Sequence, residues 1–147
     1  MRKLVSVVLA GIVVALVVTT FAGAAGRANP IMISTKLTAK EEVPPQTVKN
    51  TKGAGSFTGE ITGNKLTWTL KFSGLTGPAT AAHIHLGAMG ASGNVVVPLC
   101  GPCKSPLKGT ATLSNALLKD LKVHKLYVNV HTKKNPNGEI RGQLSAG

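Results

Sequence analysis

The chain has 147 residues, with 17 lysines and arginines against 5 acidic residues, for a formal charge of +12. Aromatic residues make up only 3 %, which argues against nucleic acid as a partner, since that needs a basic stripe interleaved with stacking rings. The few carboxylates include no pair spaced for acid–base work on a glycosidic bond.

Arg2 and Lys3 precede an almost unbroken apolar run over residues 4–18. Residues 19–25 then turn small, and Ala22-Gly23-Ala24 fits a small-residue cleavage site. Residues 1–25 are expected to be a signal peptide or, being long enough to cross a bilayer, an uncleaved N-terminal membrane anchor. Either way the remainder is expected outside the cytoplasm, whether secreted, periplasmic or at the cell surface. Membrane contact is expected only through this N-terminal segment. Without Arg2 and Lys3, 15 basic residues still face 5 acidic ones. The lysines are scattered, which predicts a solvated basic surface attracted to anionic polymers. Beyond the leader, about 120 residues suffice for one domain with a modest core.

From residue 31 the punctuation is that of an all-β protein. Residues 31–39 read as a first strand, closed by Val43-Pro44-Pro45, whose prolines exclude ladder pairing. Residues 54–62 alternate, and Gly63-Asn64 is a two-residue hairpin signal. Leu66, Trp68, Leu70 and Phe72 share one parity of the clearest strand, and burying them contributes on the order of 6 to 12 kcal/mol before entropy is counted. A histidine-bearing strand comes next, followed by a glycine-rich loop over residues 87–94 and a short apolar strand over 95–99. Prolines mark residues 100–106 as a loop, and 108–113 read as another strand. Residues 114–121 are the one helical stretch, with Ser114 as N-cap. A strand ending near His131, a turn at Asn135-Pro136-Asn137-Gly138 and a last strand over 139–144 complete the chain. Seven or eight strands at spacings of roughly ten residues predict a two-layer β-sandwich or flattened Greek-key barrel with one short helix.

Two strands carry histidines on one parity. In Ala81-Ala82-His83-Ile84-His85-Leu86 and Tyr127-Val128-Asn129-Val130-His131-Thr132 the apolar positions alternate with His83, His85 and His131. Period-two geometry places these three imidazoles on the outer face, opposite the core. Imidazoles at i and i+2 can reach a common point, and a third from another strand completes a copper or zinc ligand set. The alternative is that the same rings hydrogen-bond to neighbouring strands and hold the loop over residues 87–94. The His-x-His strand is also similar to that of copper/zinc superoxide dismutase. That likeness stops at the tripeptide and the sandwich, because the bridging histidine and zinc-ligand aspartate of that enzyme have no counterpart. His124 reads as a surface residue at the helix end.

The order Glu41-Glu42-Val43-Pro44-Pro45, Ala82-His83-Ile84-His85, Tyr127-Val128-Asn129-Val130-His131-Thr132 and Asn135-Pro136-Asn137-Gly138-Glu139-Ile140-Arg141-Gly142-Gln143 closely resembles the CHRD domain. That family is named from repeats in chordin and includes secreted microbial proteins. The likeness covers residues 37–143, within a domain read as residues 31–147. It implies an extracellular, immunoglobulin-like β-rich domain of unassigned activity. Glu41-Glu42-Val43-Pro44-Pro45 itself suggests no chemistry and reads as a device at a sheet edge.

On the last strand, parity groups Glu139 and Arg141 with Tyr127, Asn129 and His131 in one polar outer patch. Glu139 is expected either to form a surface ion pair or to orient a ligand histidine. Cys100-Gly101-Pro102-Cys103 has the spacing of a thioredoxin-type motif but not its strand–helix context. A local disulfide pinning the loop is expected in an oxidising compartment. A reduced pair holding a soft metal such as Cu(I) beside the histidines is the alternative. The expectation is an exported binding or structural module, more a non-enzyme than an enzyme, with an anionic polymer or a protein as extracellular ligand. The second reading is a copper- or zinc-binding, redox-active protein built on His83, His85 and His131.

Overall fold

Alternation of buried and exposed side chains organises the chain from Ile31 onward. The computed structural model describes residues 29–147, so the leader expected over residues 1–25 lies outside the described residues. Strand β1 (Ile31–Thr38) buries Ile33 and Leu37. Strand β2 (Ala54–Thr62) pairs with it antiparallel along its whole length, from Ile31 opposite Ile61 to Thr38 opposite Ala54. The Gly63-Asn64 turn leads into β3 (Lys65–Ser73), which buries Leu66, Trp68 and Leu70 and leaves Phe72 half-buried. The Phe57 and Trp68 rings stack with centroids 6.1 Å apart, which makes this hairpin the aromatic centre of the core.

The remaining strands are β4 (Ala79–Leu86), β5 (Val95–Cys100), β6 (Leu107–Thr112), β7 (Leu126–Thr132), β8 (Ile140–Gln143) and the two-residue β9 (Ser145–Ala146). Pairing runs in the order β5-β4-β7-β8-β1-β2-β3-β6, with β9 added to β1. The link between β8 and β1 is a single pair, Thr38 opposite Arg141. Two four-stranded halves therefore meet at a narrow seam. Their inner faces share one core, in which Ile33, Phe57 and Trp68 of one half join Ile84, Val97 and Val128 of the other. With β1 set aside, β2-β3-β6 against β5-β4-β7-β8 is the A-B-E against C′-C-F-G order of an immunoglobulin-type sandwich. The all-β expectation holds, and the pairing adds that the two layers form one nearly closed sheet.

The one α-helix among the described residues, α1 (Asn115–Lys122), starts where Ser114 Oγ accepts from the Leu117 backbone N–H at 3.2 Å. It packs Leu121 into the core and ends before exposed His124, whose φ is 55°. Among the described residues no helix is long and apolar enough to cross a membrane.

All seven residues of β7 are buried. Leu126, Val128 and Val130 face the core, while Tyr127, Asn129 and His131 face outward. Loops cover that outer face, and the functional residues are gathered beneath them.

Candidate metal centre

Strands β4 and β7 pair antiparallel so that His83 lies opposite Asn129, His85 opposite Tyr127 and Ala81 opposite His131. His131 is thus one diagonal step from His83, on the face where period-two geometry also sets His85. The three rings form a triangle, with centroids 5.5 Å apart for His83 and His85, 5.0 Å for His83 and His131, and 5.7 Å for His85 and His131. One ligand nitrogen from each lies within 4.8 Å of the others. The outward placement is as the alternation predicts, but the rings are not open to solvent. His85 and His131 are each 8 % exposed, and His83 is half-buried.

Carbonyl partners determine the tautomers. His85 Nδ1 is 2.9 Å from the Gly93 carbonyl oxygen and His131 Nδ1 is 3.0 Å from that of Pro136. A carbonyl only accepts, so both Nδ1 atoms carry the proton and both Nε2 atoms carry the lone pair. His131 Nε2 accepts from His83 Nδ1 at 3.2 Å. His85 Nε2 is buried and has no hydrogen-bond partner among the described residues. The two loops thereby orient the rings from behind, as backbone carbonyls orient ligand histidines in metal sites. Burial, offset in part by the Pro136 bond and reinforced by the other two imidazoles, pushes His131 down to about 4. Burial first, then His85, lowers His83. Burial also lowers His85, against the Gly93 bond. At neutral pH the cluster is three uncharged imidazoles, the protonation state that copper and zinc bind.

A stack supports the cluster on its β8 side. The Tyr127 ring lies 4.9 Å from that of His85 at an interplanar angle of 12°, and Arg141 Cζ sits 3.5 Å from the Tyr127 centroid. The Tyr127 hydroxyl accepts from the Gly93 N–H at 3.1 Å, and Arg141 Nη2 donates to the Ala88 carbonyl at 3.1 Å. Gln143 Nε2 donates to the Gly87 carbonyl at 2.9 Å. Three side chains of β7 and β8 thus hold down the loop that supplies His85 with its carbonyl.

Asn129 completes the face, and its partner is one the sequence reading missed. Its Nδ2 donates to Glu42 Oε2 at 3.3 Å. Glu42 is 4 % exposed, and burial pushes its carboxyl up to about 8, against the Asn129 bond and the Arg141 charge. The segment read as an edge device therefore delivers a buried acid to the patch. Gly138, with φ at 141°, passes against both side chains, and a Cβ there would collide with Glu42 and Asn129. Only spacing to a distant strand distinguishes Glu42 from exposed Glu41, so no local signal announced it.

Glu139 leaves the patch to which parity assigned it. It is fully buried, and it neither pairs with a cation at the surface nor orients a histidine. Its carboxylate accepts from Thr132 Oγ1, Thr76 Oγ1, the Thr76 N–H and Asn50 Nδ2, each at 2.6 Å. Burial raises its pKa, but these donors outweigh burial and the net shift is downward. The turn after β7 rotates the side chain to the end of the sheet, where it ties three loops together.

Cys100 and Cys103 are joined in a disulfide, with Cα atoms 5.4 Å apart. Cys100 pairs in register with core-facing Ala82, and Cys103 is buried at the rim of the core. The sulfurs thus lie on the face opposite the histidines, which removes the shared Cu(I) arrangement. No helix opens at Cys100, so the redox-motif context is absent as well.

The model of the CHRD domain family matches residues 33–144. Comparison with curated proteins and with solved structures finds no match. The match covers most of the chain, including both histidine strands and the loops that cap them, and this protein belongs to the CHRD domain family.

Proposed function

We propose that this domain binds a copper or zinc ion through His83, His85 and His131, and that it does so outside the cytoplasm. One observation carries the reading. Three neutral imidazoles converge within 4.8 Å, and the buried lone pair of His85 Nε2 meets no hydrogen-bond donor among the described residues. Leaving such an acceptor unpaired is unfavourable, and a structural role in joining strands does not require it. His85 and His131 would each offer Nε2. Half-buried His83 would close the set from the solvent side. A disulfide in so short a loop supports an oxidising compartment.

The test is equilibrium dialysis of the purified chain against Cu(II) and Zn(II), followed by metal analysis. About one equivalent of one of them should be retained, and His85→Ala or His131→Ala should weaken binding by at least about tenfold. His124→Ala, far from the cluster, should bind as the wild type does. Retention below about a tenth of an equivalent would remove the proposal.

A further inference from the structure

A second feature lies beside the seam between the two halves, and it borders the histidine-bearing face at Glu42. The segment between β1 and β2 arches over the end of these strands and encloses a hollow of about 720 Å³ whose walls include Lys40, Glu42, Gln46, Lys49 and Ala54. A shallower hollow of about 350 Å³ runs over the outer face of β1, β2 and β3, between Lys36, Ser56, Lys71 and Phe72. The two adjoin at Ala54, which lines both.

Strand register explains the shape. Lys36, Ser56 and Lys71 form one cross-strand row, with the two lysines on either side of the serine. Two strand spacings put their Cα atoms roughly 9 to 10 Å apart. The next outward-facing row starts with Thr38 opposite Ala54, whose small exposed side chain leaves the passage open into the larger hollow.

We propose that this continuous groove binds an extended acidic oligosaccharide, its carboxylates met by Lys36, Lys71, Lys40 and Lys49. The one acid on the walls is Glu42. Burial keeps its carboxyl protonated at neutral pH, so it does not oppose an anion. Between the lysines stand hydroxyls suited to sugar hydroxyls, namely those of Thr38, Thr47, Thr51 and Ser56, while Gln46 is held within the arch by Glu139 and Asn50. Phe72 is the single aromatic residue on the walls, and its side chain packs toward the core, so the groove offers no successive stacking platforms for a nucleic-acid strand. Apart from Phe72, which packs toward the core, the walls carry no large apolar side chain of the kind that inserts a surface into lipid.

The experiment is titration calorimetry of the purified chain with a linear hexameric oligo-uronate at physiological salt. Ala54→Tyr, which blocks the passage without changing charge, and the pair Lys36→Gln with Lys71→Gln should each weaken binding at least about tenfold. The pair Lys119→Gln with Lys122→Gln on α1 removes the same charge and should change it less than about twofold. Thermal melting of each variant establishes that it is folded. Equal weakening by both lysine pairs, indifference to Ala54→Tyr, or binding to anionic lipid vesicles in place of the oligo-uronate would overturn the proposal.

Discussion

His131 Nε2 accepts a hydrogen bond from His83 Nδ1 at 3.2 Å, so the most exposed ring of the cluster lends its proton to one of the most buried. The other two Nδ1 protons are committed to backbone carbonyls. Under the proposed metal binding, a cation would displace one proton contact, that of His83, and would meet the lone pairs of His85 and His131 with their tautomers already fixed. For the proposed metal, such a framework would be preorganised on its buried side and adjustable on its solvent side.

Metal should stabilise the fold by mass action. At a hundredfold excess over Kd the gain is about 2.7 kcal/mol, a rise in Tm of roughly 10 °C for a domain of this size. Differential scanning calorimetry with and without Cu(II) or Zn(II) measures it. A chelator should reverse the shift, and His85→Ala should abolish it.

Tyr127→Phe keeps the stack between His85 and Arg141 but deletes the hydroxyl that holds Gly93. Stability should fall by about 1 kcal/mol in urea titration. Metal affinity should fall too, because Gly93 supplies the carbonyl that orients His85. An unchanged affinity would show that the loop is held without this bond.

Glu42 gives a pH signature of definite sign. Its pKa rises from 4.5 to about 8 on folding, so the folded state holds a proton that the unfolded state has released between those values. That contribution to stability is complete below pH 4.5 and is lost as the pH rises toward about 8. Glu42→Gln keeps a neutral side chain at every pH. Urea titrations at pH 5 and pH 9 should show the variant gaining on the wild type at the higher pH, while His131, which titrates in both, cancels. Parallel curves would contradict the assignment.

Glu139→Gln is nearly isosteric but turns an amide toward donors supplied by Thr132, Thr76 and Asn50. It should destabilise by about 3 kcal/mol or more, among the largest single effects of a conservative substitution in this chain. Metal affinity should change little in the folded variant, since Glu139 reaches no histidine.

Replacing both cysteines by serine opens a very short ring, so little chain entropy is returned to the unfolded state. The loss should be about 2 kcal/mol or less. Because the disulfide lies on the core side of β5, metal retention by the double variant should equal that of the wild type.

Local pattern alone determined most of the strands and the common outward parity of His83, His85 and His131, because backbone geometry ties side-chain direction to sequence position with a period of two, and the capping preference of serine determined the helix start at Ser114, while the two-residue β9 had no local signal. That parity could not say how close the rings come. Register between β4 and β7 decided that, and it depends on contacts far apart in the chain. Burial of the face was likewise a tertiary outcome, since loops over residues 87–94 and 133–138 fold down and their carbonyls choose the tautomers of His85 and His131. Glu42 and Glu139 make the contrast plain. Nothing beside either carboxylate in the chain marks it as buried, yet one is sealed against Asn129 with its proton retained, and the other is charged amid four donors. Environment sets a side chain's ionisation, and environment is assembled by the fold.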